Sequence, residues 1–438
     1  MSTSHVFQEP ARALPVIADA DVIVCGGGPA GVAAALAAAR NGANTHLFEM
    51  HTCLGGVWTS GLLTYIFDFA KPGLTQEIIH RMEALDALRG ENRDRFVYEP
   101  EPMKALLEQM CQEAGVHIHL QSRLCAAYRT GRRLDTIVTE SRSGRQAWRA
   151  RVFIDATGDG DLGMLAGCGW EIGRPEDGAC QPLTMNAIVT TPDVQALAPY
   201  ISFFGTDSMP GHVQATKNIV ADMRRAGVTP SYGMPTLFQI RDNLLLAMFN
   251  HEYGVRPDSE PQMTEATLRS RAEVHHLVEA LEKLGGPWRG LHLASTADQI
   301  GVREGRRIHG LYELTREDLR QGSSFEDGVT RATFCVDIHA PSKKENEQAA
   351  ITHSDFHMRS YEIPLRALIA RDVDALMMAG RCISGDFIAH ASYRVTGNAV
   401  AMGEATGVAA ALSAARDILP QELAWDDLAP RLPYRSQA

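Results

Sequence analysis

The 438-residue chain lacks a paired cysteine motif. Its eight cysteines, Cys25, Cys53, Cys111, Cys125, Cys168, Cys180, Cys335 and Cys382, are scattered, and no two form C-x-x-C. That argues against an iron–sulfur cluster, a zinc ribbon and a thioredoxin-type pair, and makes reduced thiols in the cytoplasm the simplest expectation. No apolar run approaches the roughly 20 residues of a membrane helix. The N-terminal stretch MSTSHVFQEPARALPVIA lacks the apolar core of a signal peptide and reads as a loose tail or short edge strand. Positive charge is not in excess. A net charge of −11 argues against a general binder of nucleic acid or anionic membranes. Repeats and low-complexity segments are missing too.

What is present begins with DVIVCGGGPAGVAAALAAARNGANTHLFEM. Asp21 to Cys25 suits a buried parallel strand. Gly26, Gly28 and Gly31 follow as G-x-G-x-x-G, a small-residue helix is expected over 30–41, closed by Gly42, and Thr45 to Phe48 is a second strand ending at Glu49. The first glycine permits the tight turn, the second lets backbone approach a pyrophosphate, and the third lets helix pack on strand. The helix N-terminus offers free N–H groups to phosphates. Glu49 stands where an acid can hydrogen-bond a ribose diol. Strand, glycines, helix, strand and acid in register point to dinucleotide binding.

Two further segments turn the reading toward FAD rather than NAD. HTCLGGVWTSG carries the pair Gly55-Gly56, a habit of FAD folds. VFIDATGDGDL carries Ala156, Thr157, Gly158, Asp159 and Asp161 at the end of an apolar strand, and DALMMAGRCISGD supplies a third strand entering a glycine turn at Gly380. A second G-x-G-x-x-G is missing from the middle of the chain, which argues against a separate NADPH domain. The candidate cofactor residues are Gly26, Gly28, Pro29, Ala30, Gly31, Glu49, Met50, Gly55, Gly56, Val57, Thr59, Leu124, Ala156, Thr157, Gly158, Asp161, Gly380, Asp386, Gly397 and Asn398.

The blocks VIVCGGGPAGVAAALAAARNGA, LGGVWTSGL, VFIDATGDGDLGMLAGC, QPLTMN, IGVREGRRIHGLYELTREDL, DIH and EIPLRAL…AGRCIS…AH…R span residues 21 to 412. In them the chain resembles the FAD-dependent oxidoreductases related to the fumarate reductase and succinate dehydrogenase flavoproteins. That group carries a segment H-G-x-N-R-x-G-G-N-S, and His390, Arg394, Gly397 and Asn398 fall at the same spacing here. The resemblance implies that Arg394 contacts a substrate carboxylate beside the flavin and that the Gly-Asn region meets the flavin's pyrimidine end. It also implies non-covalent FAD, because the group's covalent histidine stands further from the acid than His51 or Cys53. One departure is Arg381, where the group places an acid. Asp386 is the expected replacement at the ribityl chain.

The residues themselves agree. His390 and Arg394 share one face of a helical turn, and 396–415 reads as a long small-residue helix whose N-terminus would stabilise negative charge on reduced flavin. A guanidinium fork suits a carboxylate; the alternative is an arginine paired with a structural acid. In the middle of the chain, QPLTMNAIVTT reads as a strand and GMPTLFQIRDNLLLAMFNH as a strand pair. Thr264 to Gly285 reads as an amphipathic helix capped by Thr264, with His275 and His276 a surface pair rather than metal ligands. Arg303, Glu304, Arg306 and Arg307 suggest either an internal ion-pair network or an anion contact. FCVDIH puts Asp337 and His339 on one strand face, a plausible proton relay.

The expected fold is α/β: a Rossmann-like FAD-binding domain of glutathione-reductase/fumarate-reductase type, residues 18–175 and 361–416, split around an inserted α+β substrate domain, 176–360, with a tail at 417–438. The expected function is hydride transfer between flavin N5 and a small, carboxylate-bearing organic substrate, with His390, Arg394 and His339 catalytic and no metal. An O2-using monooxygenase or oxidase is the alternative, and a non-catalytic FAD-binding subunit of a complex the second. The electron partner is a second substrate, O2 or another protein. A homo-oligomer is possible, and neither nucleic acid nor membrane is expected as a partner.

Overall fold

The computed structural model describes residues 7–90, 92–203, 211–348, 351–352 and 356–436; the first six residues of the expected N-terminal tail lie outside these. Five parallel strand segments lie side by side in the order His117–His119, Thr45–Phe48, Val16–Cys25, the C-terminal half of Gly144–Asp155, and Leu376–Met378. A hairpin of Arg123–Thr130 and Arg133–Ser141 extends the sheet from the N-terminal half of Gly144–Asp155. Strand Val16–Cys25 begins five residues before the expected 21, because its exposed first half, too mixed to show a pattern, pairs with Ala147 to Ala150. Val22, Ile23, Val24, Phe153, Ile154 and Met377 are fully buried, as parallel strands covered on both faces require.

Helices Pro29–Arg40 and Thr396–Arg416 pack against one another. Their alanines and glycines are the reason they can. A Cβ on Gly403 would stand 2.1 Å from Ala30 O, and one on Gly407 2.2 Å from Ala34 O. The bland composition of the C-terminal helix is therefore a packing requirement, and it brings the N-termini of both helices to the same edge of the sheet.

A second core lies over that edge. Its five-stranded sheet runs Ile201–Phe203, Thr236–Arg241, Leu244–Met248, Ala187–Thr190, His292–Thr296, backed by helices His212–Arg225 and Glu260–Leu284. The expected strand pair is the hairpin that turns at Asp242. The long helix starts earlier than Thr264: Ser259 is its N-cap and Pro261 sits in its first turn, where a missing N–H does no harm. Thr264 instead donates to Glu260 Oε1 within the helix. His275 and His276 are exposed.

The second core comprises residues from Leu183 to Ile300, joined by Leu62, Tyr65 and Val97. Ile308, Leu314, Leu319, Val329 and Val336 pack into the first core instead, so the separately packed part is narrower than 176–360. The expected tail is also packed: Leu423, Leu428 and Leu432 are buried in the first core, from helical turns too short to show a period. No helix among the described residues is long and apolar enough to cross a membrane.

Gly407→Val tests the helix contact. The added branches have no space between the two helices, and overpacking of this kind costs typically about 1–3 kcal/mol. Urea unfolding is expected to show a midpoint lowered accordingly with an unchanged slope.

Candidate functional site

The turns after the parallel strands converge. Gly26 has φ +100°, and a Cβ there would stand 2.4 Å from Ala156 O; one on Gly31 would stand 1.7 Å from Gly26 O; one on Gly380, also at positive φ, would stand 3.1 Å from Ala30 Cβ. These glycines press the three segments together at the carboxyl end of the sheet, where ligands bind in open α/β folds. Gly28 differs: a Cβ there meets nothing within 4 Å. It is the N-cap of the Pro29–Arg40 helix, so its open face offers N–H groups to an incoming anion.

Glu49 is buried and accepts from Gly27 N at 2.7 Å and His51 N at 2.8 Å, one bond per oxygen, which leaves further lone pairs. Beside it lies a cavity of about 420 Å³ lined by Met50, His51, Thr52, Ser60, Gln121, Arg123 and Asp298. Leu124 follows on the strand and packs against the first core. In the Gly55-Gly56 turn both glycines have positive φ, and Val57 is half-buried. Thr59, expected at the cofactor, is buried and donates to Leu54 O at 2.6 Å; it braces the turn.

Asp155, not singled out from the sequence, shapes the second segment. It accepts from Thr157 N, Thr157 Oγ1 and Gly163 N, and burial pushes its carboxyl up to about 6 against those bonds. Asp161, expected at the cofactor, takes Arg306 as partner at 2.9 Å. The missing acid of the third strand comes from the second: Arg381 pairs with Asp159 at 3.1 Å. Asp386, expected at the ribityl chain, is engaged as a cap. Its oxygens accept from Ala389 N at 2.7 Å, as N-cap of helix Phe387–Tyr393, and from Arg316 N at 2.6 Å. The strong pull of an unfilled helix N-terminus explains the difference.

At the start of the long helix, Gly397 abuts the Phe67–Asp68 backbone, with a notional Cβ 2.0 Å from Asp68 O. Asp68 has positive φ and is held by a buried pair with Lys71 at 2.8 Å and by Thr333. Asn398 is 0% exposed, and neither amide atom has a hydrogen-bond partner among the described residues. His390 is equally buried with both ring nitrogens unpartnered there. Burial and the nearby Arg307, Arg394 and Arg381 hold it neutral.

Arg394 meets Asp337. Its Nη2 donates to Asp337 O at 2.7 Å and to Oδ2 at 3.2 Å. His339 Nε2 lies 3.2 Å from the same Oδ2. Burial alone would raise the Asp337 carboxyl, but His339, Arg394 and Arg303 together hold it well below the usual range. An ionised carboxylate only accepts, so the proton of neutral His339 sits on Nε2 and Nδ1 carries a bare lone pair. That Nδ1 has no partner among the described residues. Burial and Arg303 lower His339 to about 4, so it is neutral at pH 7. Asp337 and His339 thus come together as the sequence suggests, although the strand they share is only Ile338–His339.

The neighbouring arginines divide. Arg307 is the internal network: it pairs with fully buried Glu304 at 2.7 Å and donates to Gly173 O and Gly385 O, while Glu304 also accepts from Gly173 N and Gln181 N. Arg303 is different, and sequence reasoning left it open. Tyr232 and His251, which flank His339 at ring distances of 5.8 and 5.1 Å, were missed. Their only sequence signals are a polar pair closing an apolar strand, NHEY, and a tyrosine in a Pro-Gly turn. Among the described residues no group of three or more His, Cys, Asp or Glu side chains could hold a metal.

The open face at Gly28, the cavity beside Glu49 and the unmet amide of Asn398 fit an extended dinucleotide with a flavin at its far end, since a buried amide without a partner costs about 1–3 kcal/mol. Fold and site define a flavoprotein of the dinucleotide-binding α/β class. Residues 21–432 match the family model described as FAD dependent oxidoreductase, and the chain belongs to that family; its cofactor is FAD. A search of curated proteins gives no match. Solved structures similar to the chain include a geranylgeranyl bacteriochlorophyll reductase-like protein from Thermoplasma acidophilum, 13% identical over 96% of this chain and 82% of that one, TM-score 0.43. A flavin-dependent brominase is 10% identical over 96% and 83%, TM-score 0.46. A p-nitrophenol 4-monooxygenase from Pseudomonas putida is 13% identical over 67% and 70%, TM-score 0.40. At these values they assign no activity to this chain.

Gly28→Val separates cofactor from fold. A Cβ there meets no protein atom within 4 Å, so the apoprotein's melting temperature is expected to stay within about 2 °C, a surface-like effect. FAD affinity, measured by flavin fluorescence quenching, is expected to fall at least about 100-fold, since the branch fills the space for the phosphates.

Proposed function

We propose that the chain is a flavin-dependent oxidoreductase acting on a small, carboxylate-bearing organic molecule, with a site built ahead of the Gly397–Asn398 helix. The observation that carries this reading is the buried imidazole of His339, held by Asp337 through Nε2 with Nδ1 unpartnered among the described residues. Bound FAD supplies a two-electron acceptor or donor at N5. The protein's part is to position the substrate and to move a proton. His339 Nδ1 accepts it, and Asp337 stabilises the resulting imidazolium while fixing the ring's tautomer, as carboxylates do behind catalytic histidines. His390 has no acid within ion-pair distance among the described residues and serves as a buried hydrogen-bonding group. Arg394 holds Asp337 in place and shields it from water.

The acceptor that takes the electrons onward is where a dehydrogenase and an O2-using oxidase or monooxygenase part. Both share every feature above.

The test is anaerobic bleaching of the flavin by small hydroxy- and amino-carboxylates. At least one is expected to bleach the wild type, with a rate that falls as pH drops toward about 4, where His339 takes up a proton. His339→Gln is expected to keep FAD and slow bleaching by about 10²–10⁴. Wild-type rates in that variant, or bleaching by neutral molecules alone, would count against the reading. Mixing the reduced protein with aerated buffer then assigns the acceptor. Return within about a second points to an oxidase or monooxygenase, and return over minutes to a dehydrogenase or reductase.

A further inference from the structure

Arg303 is a guanidinium without a carboxylate. Its Nη1 donates to Pro182 O at 2.9 Å and Thr184 Oγ1 at 2.6 Å, and its Nη2 touches Met248 Sδ at 3.9 Å. No Asp or Glu oxygen lies within 4 Å of it among the described residues, whereas Arg306, Arg307, Arg381 and Arg394 each have one. The three contacts use both hydrogens of Nη1 and one of Nη2. Nε and one Nη2 hydrogen make no hydrogen bond to the described residues, and an Nε–Nη2 pair is the fork that takes a carboxylate with two parallel bonds. Arg394, by contrast, has already given Nη2 to Asp337.

The wall beside Arg303 is equally unusual. His251 is 2% exposed and stacks on Tyr232 at 3.7 Å. Tyr253 OH donates to Ser231 O at 2.9 Å, so in its 3.4 Å contact with His251 Nδ1 the imidazole is the donor. His251 Nε2 therefore carries a lone pair, and it has no partner among the described residues. His339 Nδ1 is in the same condition. Arg303 acts electrostatically on His251, His339, Tyr232 and Tyr253 alike. One buried cluster thus presents a bidentate cation edge and two bare imidazole lone pairs. Those lone pairs repel an anion and attract a hydrogen-bond donor.

We propose that Arg303, rather than Arg394, seats the substrate's carboxylate, and that the site selects carboxylates carrying a neighbouring O–H or N–H group, which donates to His339 Nδ1 and His251 Nε2. This rests on the flavin oxidoreductase reading and narrows its substrate class. It assigns Arg394 to positioning Asp337. It also links recognition to the proton step, because the atom that reads the donor hydrogen is the atom that removes it.

The probes are glycolate, acetate and glycolamide, titrated into the FAD-loaded protein without oxygen and followed by the flavin spectrum and the melting temperature. Glycolate is expected to bind saturably, acetate at least about tenfold more weakly because the imidazoles lose their donor, and glycolamide not measurably. Arg303→Lys is expected to weaken glycolate at least about tenfold, since a point charge replaces the fork, and Arg303→Gln to abolish its binding with FAD content unchanged. Undiminished binding in Arg303→Gln overturns the assignment of the seat, and acetate binding as tightly as glycolate overturns the donor requirement. Wild type that binds no glycolate overturns both. Failure of the oxidoreductase reading looks different: glycolate binding persists in such a protein while no hydroxy- or amino-carboxylate bleaches its flavin.

Discussion

A single carboxylate, Asp337, holds the centre of this molecule in register. Its oxygen Oδ2 is shared by Arg394 and His339, its carbonyl takes Arg394 Nη2, and its N–H donates to Ala391 O. Those bonds tie the segment around 335–339 to the helix Phe387–Tyr393. The same charge offsets part of the repulsion between Arg394 and Arg303, both of which burial pushes below their ordinary values. Removing one partner of such a buried group costs about 3–5 kcal/mol. Structure and chemistry therefore lean on the same atom: what anchors the helix also sets the tautomer of the imidazole.

A second buried acid, Glu304, does comparable work one layer away. With Arg307 it gathers Gly173, Gln181 and Gly385 around one ion pair whose lone pairs and hydrogens are met by backbone. Every such bond is a reason the segment 299–307 cannot shift. Arg303 is held in place by Thr184 and Pro182 at its Nη1 and by the bonds of its neighbour Glu304. A guanidinium fixed in this way loses little freedom when an anion arrives.

The parts legible in the sequence are those in which spacing along the chain is itself the geometry. Strand, glycines, helix and Glu49 form one continuous unit, and the long helix at 396 announces itself by small residues that the contact at Gly403 and Gly407 requires. Convergence across the chain left no such trace. Tyr232, His251, Arg303, His339 and Arg394 come from five separate segments. Asp386 shows the limit: an acid before a helix can serve a ligand or a cap, and the bonds to Ala389 and Arg316 show that it serves as a cap. The packing of 308–336 into the first core was hidden because short strands and turns carry no period.

The most direct measurement is nitrogen-15 NMR of the histidines in the FAD-loaded protein, with His339→Gln to assign the signal. His339 is expected to be neutral from pH 6 to 8, protonated on Nε2 and bare on Nδ1. A proton on Nδ1, or an imidazolium at pH 7, would contradict the account.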